Sequence, residues 1–152
     1  MTQESYSLLL KQAQALISSE TDFIANAANL SSFLYHNLDD VNWVGFYLFK
    51  QDELVLGPFC GQPACTRIAI GKGVCGTAFA EQRTLMVNDV HSFAGHIACD
   101  AASESEVVVP FNTSMYQGVF DIDSPIIGRF GEAEKELFEG VARALEKSQS
   151  DS

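Results

Sequence analysis

Eleven residues, His96 to Glu106, read HIACDAASESE and bring together a cysteine, a histidine and three carboxylates. Apolar positions 97, 98 and 99 keep neither helical nor strand period, and Asp100-Ala101-Ala102-Ser103 is small or polar, so the stretch reads as a loop. A buried loop must find partners for its backbone groups, and one that concentrates reactive side chains points to a site. The apolar run VVVPF follows at once and would pin one end rigidly. Cys99 stands open to three readings: nucleophile, metal ligand or buried bystander.

The carboxylates narrow the chemistry. In VFDIDS, Asp121 and Asp123 alternate with Val119, Phe120 and Ile122 so that both acids share one face of a strand, and Glu106 opens the neighbouring strand of the same hairpin. The plainer reading is a solvent face. Against it, three acids on a strand pair with hardly a basic residue nearby repel one another, which cross-strand neighbours normally avoid. Convergent carboxylates make sense where they hold a cationic group or share protons, one being kept protonated by burial and by its neighbours.

A protonated acid beside a reducing thiol is what sulfoxide reduction requires. The S=O oxygen takes up a proton while a cysteine attacks sulfur, leaving a sulfenic acid. A second cysteine displaces water from it, and an external dithiol resets the resulting disulfide. One tension is built in, because nearby anions raise a thiol's pKa and leave less thiolate.

Other constellations carry less. Cys60, Cys65, Cys75 and Cys99 are five, ten and twenty-four residues apart, not the close pairs of zinc sites, and any one of them can be a small buried hydrophobe. His91, His96, Cys99 and Asp100 are ligand types without a matching spacing, so no metal is expected. Gly71-Lys72-Gly73 with Gly76 lacks the phosphate-loop pattern; Gly73 and Gly76 instead let the backbone pack closely around Cys75. No G-x-S-x-G elbow supports a serine hydrolase.

Composition bounds the partners. The 152 residues are one domain's worth, 47% apolar and 19% charged, and the formal net charge of -11 argues against nucleic acid and anionic membrane surfaces. The N-terminus has no basic stretch leading into an apolar one, and no eighteen-residue apolar run occurs, so a cytoplasmic protein is expected. In a reducing compartment structural disulfides are rare, so the role of the four cysteines is sought elsewhere.

The positioning elements follow from periodicity. Leu8, Leu9, Ala13, Leu16 and Ile17 predict a helix over about Ser5 to Ser18, and Phe23, Ala27, Leu30 and Leu34 a second one capped by Thr21 or Asp22. NWVGFYLF alternates as a strand, turns through Lys50 to Glu53, and pairs with LVLGPFCG, where Gly57-Pro58 marks a bulge or edge. Thr66 to Ile70 is a short strand, VCGTAFAEQ a helix and Leu85 to Val87 a strand. SEVVVPFN and QGVFDIDS form a hairpin across Thr113 to Tyr116, and a last helix runs from Glu132 to about Lys147, before a polar tail from about Ser148. Hairpins in place of repeated βαβ units give an antiparallel sheet with helices packed on it, the α+β class, in a single domain over 1–152.

In order along the chain, NWVGFYLF, LVLGPFCGQPACTRIAIGKGVCGTA, NDVHSFAGHIACDAASESEVVVP and GVFDIDSPIIGRF closely resemble the free methionine-(R)-sulfoxide reductases, single-domain proteins of GAF fold. The resemblance covers nearly the whole chain, and it implies reduction of free L-methionine (R)-sulfoxide by a homodimer. No bound cofactor is implied; thioredoxin is the reductant, itself supplied by NADPH through thioredoxin reductase. It further implies that Cys99 in HIACDAAS is catalytic, that Cys65 in ACTRI is the main resolving cysteine, and that Cys75 in GVCGTA assists. Trp43, Glu106, Asp121 and Asp123 match positions lining the substrate pocket. Cys60 has no counterpart among those cysteines, and the turn between Asn112 and Gln117 is about one residue shorter than the family's. A signalling GAF module that binds a small molecule, a redox sensor and a metal-binding protein are the rival readings.

Overall fold

Strand alternation sorts the side chains of this protein into two unlike layers. The computed structural model describes residues 2–95 and 102–150. Two helices, α1 (Gln3–Leu16) and α2 (Phe23–Asn37), precede the hairpin of β1 (Trp43–Lys50) and β2 (Glu53–Gly61). Then come β3 (Arg67–Ala69), α3 (Gly73–Glu81), β4 (Leu85–Val87) and a single 3-10 turn at Val90–Ser92. The hairpin of β5 (Ser105–Asn112) and β6 (Gln117–Ser124) follows, and α4 (Glu132–Ser150) ends the chain. The six strands form one sheet in the order β3-β2-β1-β6-β5-β4, every neighbouring pair antiparallel.

One face of the sheet carries the core. Val44, Phe46 and Leu48 of β1, Val107, Val109 and Phe111 of β5, and Phe120 and Ile122 of β6 are buried against α1, α2 and α4. Phe46 stacks on Phe120 with ring centroids 4.6 Å apart, and Phe138 of α4 meets Phe120 edge-on at 6.3 Å. Aromatic pairs at these separations add to the free energy of area burial. The helices are held at their ends: Thr2 and Asp22 cap α1 and α2 by accepting from the Ser5 and Ala25 amides, and Glu134 of α4 accepts from the Tyr6 hydroxyl of α1.

Two irregularities shape the other face. Between the pairs Gly45↔Phe59 and Tyr47↔Leu56, β2 advances three residues against two in β1, so the expected bulge falls at Gly57-Pro58. The β1–β2 turn places Gln51 and Asp52 at φ 52 and 67, the left-handed pair whose twist suits a two-residue hairpin. By contrast the β5–β6 ladder is unbroken from Ser105↔Ser124 to Asn112↔Gln117, closed by the Thr113 amide donating to the Tyr116 carbonyl at 2.8 Å. The short turn leaves the register intact.

The first helix lies two residues earlier than expected, at Gln3–Leu16, and other parts of the chain also differ from the sequence reading. The third strand shrinks to Arg67–Ala69, an edge segment whose ladder partners are Glu53, Leu54 and Val55. The last helix continues to Ser150, where serines 148 and 150 bond back to the carbonyls of Leu145 and Lys147, and Gln149 donates to the Thr21 carbonyl. The 3-10 turn at Val90–Ser92, capped by Asp89, has no periodic signature to announce it. Among the described residues no helix is long and apolar enough to cross a membrane. Truncating the ring that clamps α4 to the sheet should be costly: Phe138→Ala is expected to lose about 3–5 kcal/mol in urea unfolding, at an unchanged m-value.

Candidate active site

The face of the sheet turned away from the three-helix layer holds the chemistry. Trp43, Gly45 and Tyr47 of β1, Asp121 and Asp123 of β6, and Glu106 and Val108 of β5 alternate onto it. Register sets their neighbours: Asp123 lies between Trp43 and Glu106, and one row further Asp121 lies between Gly45 and Val108. Exposure decides against the solvent-face reading, since Glu106, Asp121 and Asp123 retain 9%, 4% and 8% of their accessible surface.

Above them sits the start of α3. Gly76 lets this turn approach β3, because a Cβ there would fall 2.4 Å from the Ala69 carbonyl oxygen. The close approach seats Cys75, which is buried, over the acids. Its Sγ donates to Glu106 Oε2 at 3.8 Å, and one atom each of Cys75, Glu106 and Asp121 lie within 4.8 Å of one another. Asp121 Oδ1 is buried with no hydrogen-bond partner among the described residues.

The electrostatics follow from burial. Loss of water, then the charges of Asp123 and Glu106, push the Asp121 carboxyl well above the usual carboxylate range. Burial and the charges of Asp121, Glu106 and Asp123 likewise raise the Cys75 thiol, so it is a neutral donor at neutral pH. Tyr47 is raised for the same reasons, burial first, and stays a phenol. Burial and mutual charge thus push both the Asp121 carboxyl and the Cys75 thiol toward their neutral, protonated forms.

An aromatic wall closes one side. Trp43, fully buried, stacks on Phe59 at 5.3 Å and on Tyr47 at 5.9 Å, and its indole N–H donates to the Gln62 carbonyl at 3.1 Å. Gly45 makes room for it, since a Cβ there would meet Phe59 Cβ at 2.3 Å and the indole at 2.7 Å. The Tyr47 hydroxyl donates to the carbonyl of Cys65 at 2.8 Å, tying the β2–β3 loop to the same wall. Cys65 is disulfide-bonded, whereas Cys60 and Cys75 are free. Cys60 pairs with Val44 and so shares the opposite face of the sheet.

Sequence reasoning thus names Trp43, Cys65, Cys75, Glu106, Asp121 and Asp123, and all six lie in or against this one layer. It passes over Tyr47 and Phe59. The two-residue alternation that runs from Trp43 through Gly45 to Tyr47 carries the signal for the first, while the bulge hides the second. Cys99, with His96 and Asp100, lies outside the described residues. Its flanks do not: Gly95 accepts from the Gly73 amide at 3.1 Å, and Glu104 donates to the Ser124 carbonyl at 2.7 Å, beside Asp123. His91 is set apart, half-exposed and 2.8 Å from Glu104.

Comparison with known proteins bears on this arrangement. The chain is 49% identical over 145 residues to the free methionine-R-sulfoxide reductase of Escherichia coli K12, covering 95% of this chain and 88% of that protein. The chain belongs to the free methionine-R-sulfoxide reductase family. These are oxidoreductases, and their fold is that of GAF domains: a solved GAF domain 38% identical superposes with a TM-score of 0.87 over 95% of this chain and 87% of its own. The Staphylococcus aureus fRMsr, solved in complex with its substrate, is 54% identical, with a TM-score of 0.89 over 95% of each chain. No family model matches the chain.

The raised Asp121 carboxyl has a thermodynamic consequence. An acid whose pKa is higher folded than unfolded stabilises the fold at low pH, and that contribution is lost as pH rises from the ordinary aspartate value through the folded one. Asp121→Asn should therefore melt a few degrees above wild type at pH 8, with the gap closing as pH approaches 4. Thermal unfolding followed by circular dichroism across that range checks it, and a gap that widened toward acid would contradict the assignment.

Proposed function

We propose that this protein reduces free L-methionine (R)-sulfoxide to L-methionine, with Cys99 attacking the sulfoxide sulfur. The observation that carries the reading is the buried layer in which a carboxyl pushed well above its usual range, two further acids, a buried thiol and an indole wall converge. The relatives' names and the S. aureus substrate complex support it. So do the two flanks of the Cys99 segment, bonded at Gly73 and Ser124, each within two residues of a side chain of that layer.

The steps balance with thiols alone. Asp121 gives its proton to the S=O oxygen as the Cys99 sulfur bonds to the sulfoxide sulfur, and oxygen passes to the cysteine, leaving the thioether and a Cys99 sulfenic acid. The Cys65 thiol attacks that sulfenic acid, water leaves and a disulfide forms. The disulfide-bonded state of Cys65 is the end point such a step predicts. Thioredoxin, reduced by NADPH through thioredoxin reductase, restores both thiols by exchange, and Cys75 can substitute for Cys65. Each turnover moves two electrons, and no metal or bound cofactor is needed for them. Glu106 and Asp123 would hold the ammonium group, while Trp43 faces the methyl thioether or the ammonium.

Specificity for the free amino acid follows from the same acids. A residue within a peptide has no ammonium to offer, so burying it against Glu106 and Asp123 would leave their charge unpaired. The reading includes a homodimer in the cytoplasm, built from one GAF domain over residues 1–152, with a polar end from about Ser148 that α4 enters as far as Ser150. Nucleic acid and membrane play no part.

A thioredoxin-coupled assay of NADPH oxidation on separated epimers, free and peptide-bound, tests the function. Only the free R epimer should support turnover. Cys99→Ser should lower the rate by at least about a thousandfold with the fold retained, and equal turnover in that variant would end the proposal. Cys65→Ser should release a single burst of methionine and then recycle slowly, at a rate set by Cys75.

A further inference from the structure

The sheet around the acids contains no counter-charge of its own. From Thr84 to Gly128, a span that includes all of β4, β5 and β6, the sequence has neither lysine nor arginine. Within it, Glu106 and Asp121 are buried beside the thiol of Cys75, and Asp121 Oδ1 finds no hydrogen-bond partner among the described residues. Asp121, only 4% exposed, thus keeps a carboxyl oxygen without a donor among the described residues while sharing one cluster with a thiol and a second acid, an incomplete coordination shell.

We propose that Cys75, Glu106 and Asp121 form a binding site for a thiophilic divalent cation, zinc or cadmium, with water as the fourth ligand. The ligand types are those such ions take, one sulfur and two oxygens. Bond lengths of about 2.3 Å to sulfur and about 2.0 Å to oxygen put tetrahedral ligands about 3.3–3.5 Å apart. The Cys75 Sγ to Glu106 Oε2 separation is already 3.8 Å, and no pair in the triad exceeds 4.8 Å. Closing it takes about 1.5 Å at most, shared between two side chains, and the longer bonds of cadmium ask for less. On binding, the ligands give up the protons they hold, that of the Cys75 thiol among them, so the ion neutralises two units of the charge that its three ligands then carry.

This differs from the other histidine- or acid-containing group among the described residues, Asp89, His91 and Glu104, whose members already bond one another at an exposed turn. An ion on Cys75 would occupy the space where the preceding section places the substrate. That competition rests on the proposed function, whereas the binding itself does not.

Cadmium titration of the full-length oxidised chain, in which Cys65 is already disulfide-bonded, reads the site without turnover. The thiolate-to-cadmium charge-transfer band in the ultraviolet should grow to a plateau at equimolar metal, with equilibrium dialysis giving the same stoichiometry. Cys60→Ser should leave the band unchanged and Cys75→Ser should abolish it. The nearly isosteric Asp121→Asn and Glu106→Gln should each weaken binding at least tenfold, with native circular dichroism confirming that the variants fold. Absence of a band in the wild type, its survival in Cys75→Ser, or its loss in Cys60→Ser would overturn the assignment. A chain that bound cadmium as described but lacked reductase activity would refute the proposed function and leave this site standing.

Discussion

Like charge held out of water is the constraint around which this molecule is built. Glu106 and Asp123 face each other across the β5–β6 ladder, with Asp121 one row away, and none of the three is open to solvent. Such a group lowers the stability of any fold that contains it unless protons or cations offset the repulsion. The protein leaves part of that repulsion in place, and burial first, then the neighbouring charges, push the Asp121 carboxyl well above its usual range. The raised carboxyl is therefore a consequence of how deeply the packing buries Asp121 and of where the strand register puts its neighbours.

The stability needed to tolerate this comes from the opposite face. There the sheet is sealed by α1, α2 and α4 over a continuous core of Phe46, Phe111, Phe120 and Phe138 with their aliphatic neighbours. The reactive face has a thinner cover, one nine-residue helix and loops. A single sheet thus serves as structural core on one side and reaction vessel on the other. The alternation of β1, β5 and β6 is what lets adjacent residues belong to different jobs: Val107 packs in the core while Glu106 and Val108 face the acids.

How much of this could be read in advance depends on whether the signal was periodic. The two-residue alternation in VFDIDS places Asp121 and Asp123 together, and the apolar spacing of α1, α2 and α4 announces their buried stripes. The Gly57-Pro58 irregularity and the hairpin across 113–116 were equally legible, because glycine, proline and polar clusters mark backbone geometry directly. The edge strand β3, the turn at Val90–Ser92 and the extra turn of α4 were not. Their limits depend on tertiary partners such as the Thr21 carbonyl that Gln149 reaches. Within the site, the depth of burial was the hidden quantity. Composition alone favours an acidic strand face in solvent, and only the packing of α3 over it, permitted by the missing side chain of Gly76, reverses that.

The wall beside the acids has one more property. Trp43 is the chain's single tryptophan, and it is packed between Phe59 and Tyr47, whose hydroxyl is bonded to the backbone of Cys65. Any change of state at that cysteine is mechanically adjacent to the indole, as is any change of charge at Asp123 next to it in the ladder. The protein therefore has a built-in optical gauge, and intrinsic emission from one fluorophore can follow events in this layer without a label.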